Sequence, residues 1–347
     1  MTGPLNHLRV LDFTQLGPGP FMTQSLRELG AVVTKVERPP HGDFARTLAP
    51  GGHAVLNVGK TSLWLDLKKP GDRDKALELA RDADVIAESA RPGVMSRLGL
   101  GYDDVSQINP RAVYVSITGF GQTGPNAHAP GHDINYMAAS GFVAVAGGLH
   151  GVPSDSSGVP IGDFCAGQAA LSSTLAALIE AGRSGRGQHL DVAIVDSLIH
   201  WMNARLGHWQ KDGVKSLAAQ RRDVFGKPAY GVFQTADGAY LALAALEAHF
   251  FFSLKTALSL PLDAVPHETR TERVDNASAI NAVISAVIAH LTLDDALKRL
   301  RAADVAATAV VEPWDLPGTP QARERDLYRR HGELTYARFP VSVKGGL

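Results

Sequence analysis

The start of the chain constrains the fold most, because a strand, a loop, a helix and a second strand follow one another without interruption. Residues 8–13 are rich in branched side chains and read as a strand. A Gly/Pro-rich loop at 14–19 follows, and Pro20 stands at a first helical position, where its missing N–H costs nothing. Helical spacing runs over 21–29, Gly30 sits where a helix-ending glycine belongs, and 31–36 reads as a second strand. Two strands joined by a helix in this way pair in parallel, so the chain opens as a β-α-β unit. The alternation continues with strands at 62–67, 85–88, 113–118 and 190–194 and helices at 72–81 and 196–206. The apolar run 169–179 reads as a long buried helix. The expected fold is α/β, an open parallel-sheet, Rossmann-like large domain.

Composition shifts near Gly207. The polar segment 211–227 resembles a linker, and a second region begins with 230–233, the turn Ala236-Asp237-Gly238-Ala239 and a strand at 240–245. Helical patterns run on through Leu300, 304–312 is strand-like, and the tail after Pro313 is charged without a clear period. The expected organisation is a large domain over 1–207 rejoined by 315–347, a linker over 208–228, and a smaller α+β domain over 229–314. The 347 residues give room for both.

Charge and cysteine content exclude several classes. Lys and Arg (34) nearly balance Asp and Glu (35), which argues against a bulk electrostatic grip on nucleic acid or an anionic membrane. The single cysteine, Cys165, leaves no intramolecular disulfide and no cysteine-rich metal site. Residues 1–7 lack the basic and apolar parts of a signal peptide. No uninterrupted apolar run reaches membrane-spanning length; 169–179 is short, and Glu180 and Arg183 follow it. A cytoplasmic location is expected, with neither nucleic acid nor membrane as a partner.

Gly17-Pro18-Gly19-Pro20-Phe21-Met22 has the outline of a dinucleotide fingerprint but fails as one. Met22 takes the third glycine position, and Pro18 and Pro20 remove amide donors. Two other stretches carry chemistry. Gly131-His132-Asp133-Ile134-Asn135-Tyr136 places an imidazole directly after a Gly/Pro-rich loop. Ile161-Gly162-Asp163-Phe164 sets a lone carboxylate at the mouth of the apolar helix, where free amides and the helix dipole favour the anion. Adjacent residues do not face each other on a helix, so Asp133 reads as a structural or capping residue and His132 as the better acid/base candidate. Across one pocket, His132 and Asp163 are the equipment for proton transfer at carbon. A plain helix cap is the competing reading of Asp163. Glu247 follows the 240–245 strand, and Cys165 reads as a buried, inert thiol. Arg38, Lys60, Arg91 and Arg97 lie beside Gly or Pro or at strand ends, and together would suit a ligand with separate phosphates.

Several segments together resemble the family III CoA-transferases (CaiB/BaiF type), a group that also includes α-methylacyl-CoA racemases. They are Lys35-Val36-Glu37, Gly42-Asp43 with Arg46, Gly59-Lys60-Thr61-Ser62 with Leu65-Asp66-Leu67, and Arg91-Pro92-Gly93-Val94. Arg97-Leu98-Gly99-Leu100-Gly101-Tyr102, Ser116-Ile117-Thr118-Gly119-Phe120-Gly121-Gln122, Gly187-Gln188 and Thr235-Ala236-Asp237-Gly238 complete the set. The 131–136 stretch is similar to the racemase branch. Val58, Ala90 and Val159 depart from the family pattern, and Val159-Pro160-Ile161-Gly162-Asp163 looks more like a transferase.

The resemblance implies an acyl-CoA racemase or epimerase that inverts the α-carbon of a 2-methylacyl-CoA thioester in fatty acid metabolism. His132 and Asp163 would be the two bases, an enolate the intermediate, and amides near Asp163 the donors to its oxygen. Glu247 of the partner subunit would orient His132, within an interlocked homodimer formed as segment 211–227 crosses over. The alternative it implies is a CoA-transferase, with Asp163 as nucleophile and an aspartyl-CoA thioester on the path. In either case coenzyme A enters as part of the substrate, with no separate cofactor and no metal, and Arg38, Lys60, Arg91 and Arg97 bind its nucleotide end. A non-catalytic acyl-CoA binding protein is the reading from a different class.

Overall fold

In the computed structural model, which describes residues 3–149, 151–154 and 158–341, the opening β-α-β unit is β1 (Arg9–Phe13), α1 (Pro18–Glu28) and β2 (Val32–Glu37). Helix α1 begins at Pro18, ahead of the expected start, because prolines in a first helical turn give up no intrahelical bond. Next come α2 (Ala45–Leu48), α3 (Pro50–Val55), β3 (Thr61–Trp64), α4 (Pro70–Arg81) and β4 (Val85–Glu88). Then follow α5 (Val94–Arg97), α6 (Tyr102–Ile108), β5 (Val113–Thr118), α7 (Asp133–Ala139), α8 (Phe142–Val145), α9 (Ile161–Ser184), β6 (His189–Ala193) and α10 (Ile194–Lys211).

The six strands form one sheet in the order β3-β2-β1-β4-β5-β6, and every neighbouring pair is parallel. β4 and β5 are buried along their whole length, as strands covered on both faces must be. Alternation along β1 sends Val10 to one core with Met22, Leu26, Val115 and Leu171. Leu11 goes to the other, with Ala76, Ile86, Leu100 and Tyr114. Strand order reverses between β1 and β4, so the chain leaves these two strands in opposite directions. That opens a crevice at their carboxyl ends, the place where sheets of this kind bind ligands.

Helix α9 runs well beyond the apolar stretch 169–179, and its first turn contains Asp163. At 24 residues it has the length and composition to cross a membrane, which the shorter run does not. Here Cys165, Ala166, Ala170, Leu171 and Thr174 are buried along it.

The chain divides into two compact units: Met1–Ala144, Ser154–Gly207 and Glu324–Leu347 make the first, Val145–Pro153 and His208–Arg323 the second. The segment expected as a linker contains a helix of the second unit, α11 (Leu217–Phe225), capped by the Ser216 hydroxyl. Leu217, Ala218, Arg222 and Phe225 of α11 are exposed while Arg221 is buried, so the helix carries enough polar residues to read as a linker. The second unit continues with β7 (Tyr230–Gln234), β8 (Tyr240–Ala244), α12 (Ala248–Ala257), α13 (Arg270–Asp275), α14 (Ala277–Ile288), α15 (Leu293–Ala302) and β9 (Ala307–Ala309). Its three strands form an antiparallel sheet, β7-β8-β9, over a core that includes Phe251, Ile280, Ile284 and Leu300. A 3₁₀ turn (Pro313–Gly318), α16 (Pro320–Glu324) and the hairpin β10 (Tyr328–His331) and β11 (Leu334–Ala337) complete the described chain.

Beside the crevice, the first unit buries a set of charges. Asp12, on β1, is 0% exposed. Its Oδ1 accepts the Thr14 amide at 2.9 Å, and its Oδ2 accepts the Thr23 hydroxyl at 2.6 Å and Lys60 Nζ at 3.1 Å. Burial alone would raise this carboxyl, but the Lys60 and Lys35 ammonium groups and the two threonine hydroxyls hold it well below the usual range. Removing one partner of such a pair leaves an uncompensated buried charge. Lys60→Met is therefore expected to destabilise the protein by about 3 kcal/mol in urea unfolding, and a loss of under about 1 kcal/mol would place the pair at an ordinary surface value.

Candidate active site

The crevice at the strand-order reversal is a cleft of about 440 Å³. Gln15 and Leu16 enter it from the loop after β1, Ser89 and Arg91 from the loop after β4, and Thr118 and Gly119 from the end of β5. His132 and Tyr136 come from the start of α7, and Asp163 from the first turn of α9. Three expected residues, His132, Asp163 and Arg91, thus line one cavity.

Asp163 sits in a tight surround. A Cβ at position 17 would lie 2.7 Å from Asp163 Oδ2, so only glycine lets the main chain approach the carboxyl this closely. Phe164 packs on Phe21 of α1 with ring centres 5.1 Å apart, which ties the start of α9 to the start of α1. The Asp163 amide donates to Asp133 Oδ1 at 3.0 Å. Asp133 is thus a capping residue, as its position suggests, but it caps α9 rather than its own helix.

This overturns one expectation. The helix terminus was expected to keep Asp163 ionised, yet its carboxyl is pushed up to about 7, first by burial and then by the neighbouring Asp133 anion. The amide that would have stabilised Asp163 is taken by Asp133, and with it one donor expected for an enolate oxygen.

His132 is the exposed N-cap of α7, and its amide donates to Asn135 Oδ1 at 3.0 Å. Tyr136 is buried, and its hydroxyl donates to the Gly131 carbonyl at 2.6 Å. Its ring lies against Gly119, where a Cβ would fall 2.1 Å from the Tyr136 Cε1. Burial, and then the Asp163 charge, raise the Tyr136 phenol.

The four expected cations separate. Arg91 is exposed in the cleft, and Arg97 is exposed at the end of α5. Arg38 is largely exposed, with its Nε 4.0 Å from Asp66. Lys60 is turned inward: its side chain is 1% exposed. Its Nζ donates to Asp12, Thr23, Asn57 and the Pro20 carbonyl at 2.7 to 3.1 Å. That ammonium is committed to the fold and is not presented to a phosphate. Glu247 belongs to the second unit, where it is the exposed N-cap residue of α12. Cys165 is buried, and burial pushes its thiol up to about 11, which makes it inert.

Gln15, Ser89, Thr118 and Tyr136 line the cleft without having been singled out by residue type. The signal for the first three was positional: Gln15 and Ser89 stand just past the carboxyl ends of β1 and β4, which flank the order reversal, and Thr118 ends β5, the next strand along.

The sequence pattern of CoA-transferase family III matches residues 5–345. The chain belongs to the family III CoA-transferases. Among members of the family it is 33% identical to the acetyl-CoA:oxalate CoA-transferase of Acetobacter aceti, over 99% of this chain and 90% of that protein. It is also 33% identical to the human alpha-methylacyl-CoA racemase, over 76% of this chain and 67% of that one. A crystal structure of a CaiB/BaiF family protein from Brucella suis superposes with a TM-score of 0.86 at 28% identity, covering 99% of this chain and 93% of that one.

In this family III chain the raised Asp163 carboxyl has a consequence for stability. Between its ordinary value of 3.8 and about 7, the folded state holds a proton that the unfolded state has lost. Stability from this group therefore falls as pH rises through that window, and Asp163→Asn removes the fall. With the partial solvation of the site, the variant is expected to gain about 1–2 kcal/mol over the native protein at pH 8 and almost nothing at pH 4. Urea unfolding at the two pH values checks this, and equal effects at both would contradict it.

Proposed function

We propose that the protein moves coenzyme A between carboxylic acids, with Asp163 as nucleophile. The observation that carries the reading is the state of that carboxyl. It lines the cleft, its side chain makes no hydrogen bond or ion pair among the described residues, and burial brings it to about 7. An anion formed near neutrality without a counter-ion is a strong nucleophile for its type. The carboxylate attacks the thioester carbonyl of the donor and expels CoA thiolate, giving a mixed anhydride. The thiolate then attacks the Asp163 acyl carbon, which releases the first acid and leaves an aspartyl-CoA thioester. An incoming carboxylate takes the same two steps in reverse and leaves as the new CoA ester. Arg38, Arg91 and Arg97 are the proposed grip on CoA phosphates, without Lys60.

A second reading, inversion at the α-carbon with His132 and Asp163 as opposed bases, is favoured by one observation: both side chains line the same cleft. Glu247 of the partner subunit would orient His132 in that reading, within an interlocked homodimer. The transferase reading is preferred because the oxalate transferase matches 99% of this chain and the racemase 76%. Its name also supports small carboxylic acids as donor and acceptor.

The two readings separate in one experiment. The protein is incubated with an α-methylacyl-CoA in deuterated water, with and without an acceptor acid. Transfer predicts no α-deuteration and CoA moved to the acceptor. Deuterium in the α-position without acceptor, lost in His132→Ala, would establish racemisation instead. For transfer, kcat/KM should rise about tenfold per pH unit below neutrality as the free Asp163 ionises, levelling above its value of about 7. A flat profile from pH 5 to 8 would contradict Asp163 as the attacking group.

A further inference from the structure

The loop that backs Asp163 is held in a conformation its sequence resists. Leu16 has φ of 66°, a left-handed value that residues with a side chain rarely adopt. Such a residue persists only where its surroundings over-determine it. Three bonds do so here. Lys35 Nζ donates to the Thr14 carbonyl at 2.7 Å, the Gln15 amide donates to Ser89 Oγ at 2.9 Å, and the Leu16 amide donates to Asp43 Oδ1 at 3.1 Å. Asp43 Oδ1 also accepts the Ala45 amide at 2.9 Å. Asp43 Oδ2 lies 3.0 Å from Lys35 Nζ, in a pair whose side chains are 2% and 1% exposed. One buried carboxylate thus anchors the two groups that hold residues 14 and 16. The next residue is Gly17, whose main chain abuts the Asp163 carboxyl. Asp43 itself does not line the cleft, so any effect it has on the reaction passes through this loop.

We propose that Asp43 is a positioning residue: through the Leu16 amide it holds Leu16 left-handed, sets the Gly17 main chain against Asp163, and so fixes where that carboxyl meets a substrate carbonyl. This rests on Asp163 being the reacting group and adds the residue that sets its place. Leu16 carries the strain because its two ends serve different purposes: the side chain lines the cleft while the amide answers to Asp43.

A double-mutant cycle of Asp43→Ala and Leu16→Gly tests the proposal, read in kcat and KM for CoA transfer and in urea unfolding. Glycine takes positive φ without a tether. Asp43→Ala is expected to lower kcat roughly thirtyfold while KM changes less than about threefold, since a misplaced reacting group costs rate before binding. In the Leu16→Gly background the same substitution should cost kcat about tenfold less. A role for Asp43 limited to pairing with Lys35 gives no such rescue, because glycine at position 16 does nothing for an unpaired buried ammonium. Additive losses in kcat overturn the proposal.

Asp43→Asn covers the case in which Asp43→Ala does not fold. It keeps a side-chain carbonyl for the Leu16 amide and should retain kcat within about fivefold of native. A folded Asp43→Asn protein that is as slow as expected for the alanine variant overturns the proposal equally. The unfolding measurements need no turnover. If the native protein transfers no CoA, the reaction reading fails by that result alone, and the tether stands or falls on whether the two substitutions couple in stability.

Discussion

Asp12 has no contact with water, and keeping its charge inside the sheet organises everything around the crevice. Two ammonium groups and two threonine hydroxyls answer it, from β2, from the loop before β3, from the loop after β1 and from α1. A buried ion pair of this kind adds little stability compared with well-packed apolar residues, because desolvation offsets most of the attraction. What it does fix is location. Lys60 joins the start of α1 to β1, and Lys35 reaches both the Thr14 carbonyl and Asp43. The loop after β1 therefore leaves the sheet in one direction only, and Gly17 arrives beside Asp163.

The chemistry at Asp163 depends on how the N-terminus of α9 is shared. A helix start offers free amides and a favourable dipole to an anion. Asp133 accepts the Asp163 amide, and Asp163 is left with burial and a like charge beside it. Both effects destabilise the Asp163 anion, which is what a nucleophile requires: a carboxylate held by amides or a guanidinium is stable and unreactive.

Much of this was legible in the residues, for physical reasons that also mark where legibility ends. β4 and β5 have the bounds their apolar runs suggest, because strands buried on both faces show continuous hydrophobicity. The Asp163 and His132 positions were visible from the loop and helix patterns flanking them. The ionisation of Asp163 was not, since it turns first on burial in the folded cleft and then on the Asp133 charge from 30 positions away. Lys60 read as a cation for a phosphate because it stands beside glycine ahead of a strand; only the fold shows Asp12 behind it. Segment 211–227 read as a linker because a short, partly exposed helix such as α11 and a solvated linker share one composition. Leu16 gave no signal at all, as nothing in a leucine announces positive φ.

CoA transfer by this route requires Asp163 to become covalently acylated during turnover. The direct measurement is to mix the protein with an acyl-CoA in the absence of acceptor acid, quench with hydroxylamine, and map the peptide that contains the start of α9 by mass spectrometry. The expected result is release of CoA thiol and a hydroxamate at Asp163, with Asp133 unmodified and no modification of this peptide in Asp163→Asn. Sustained CoA transfer with an unmodified Asp163, or a hydroxamate at another carboxylate, would contradict it.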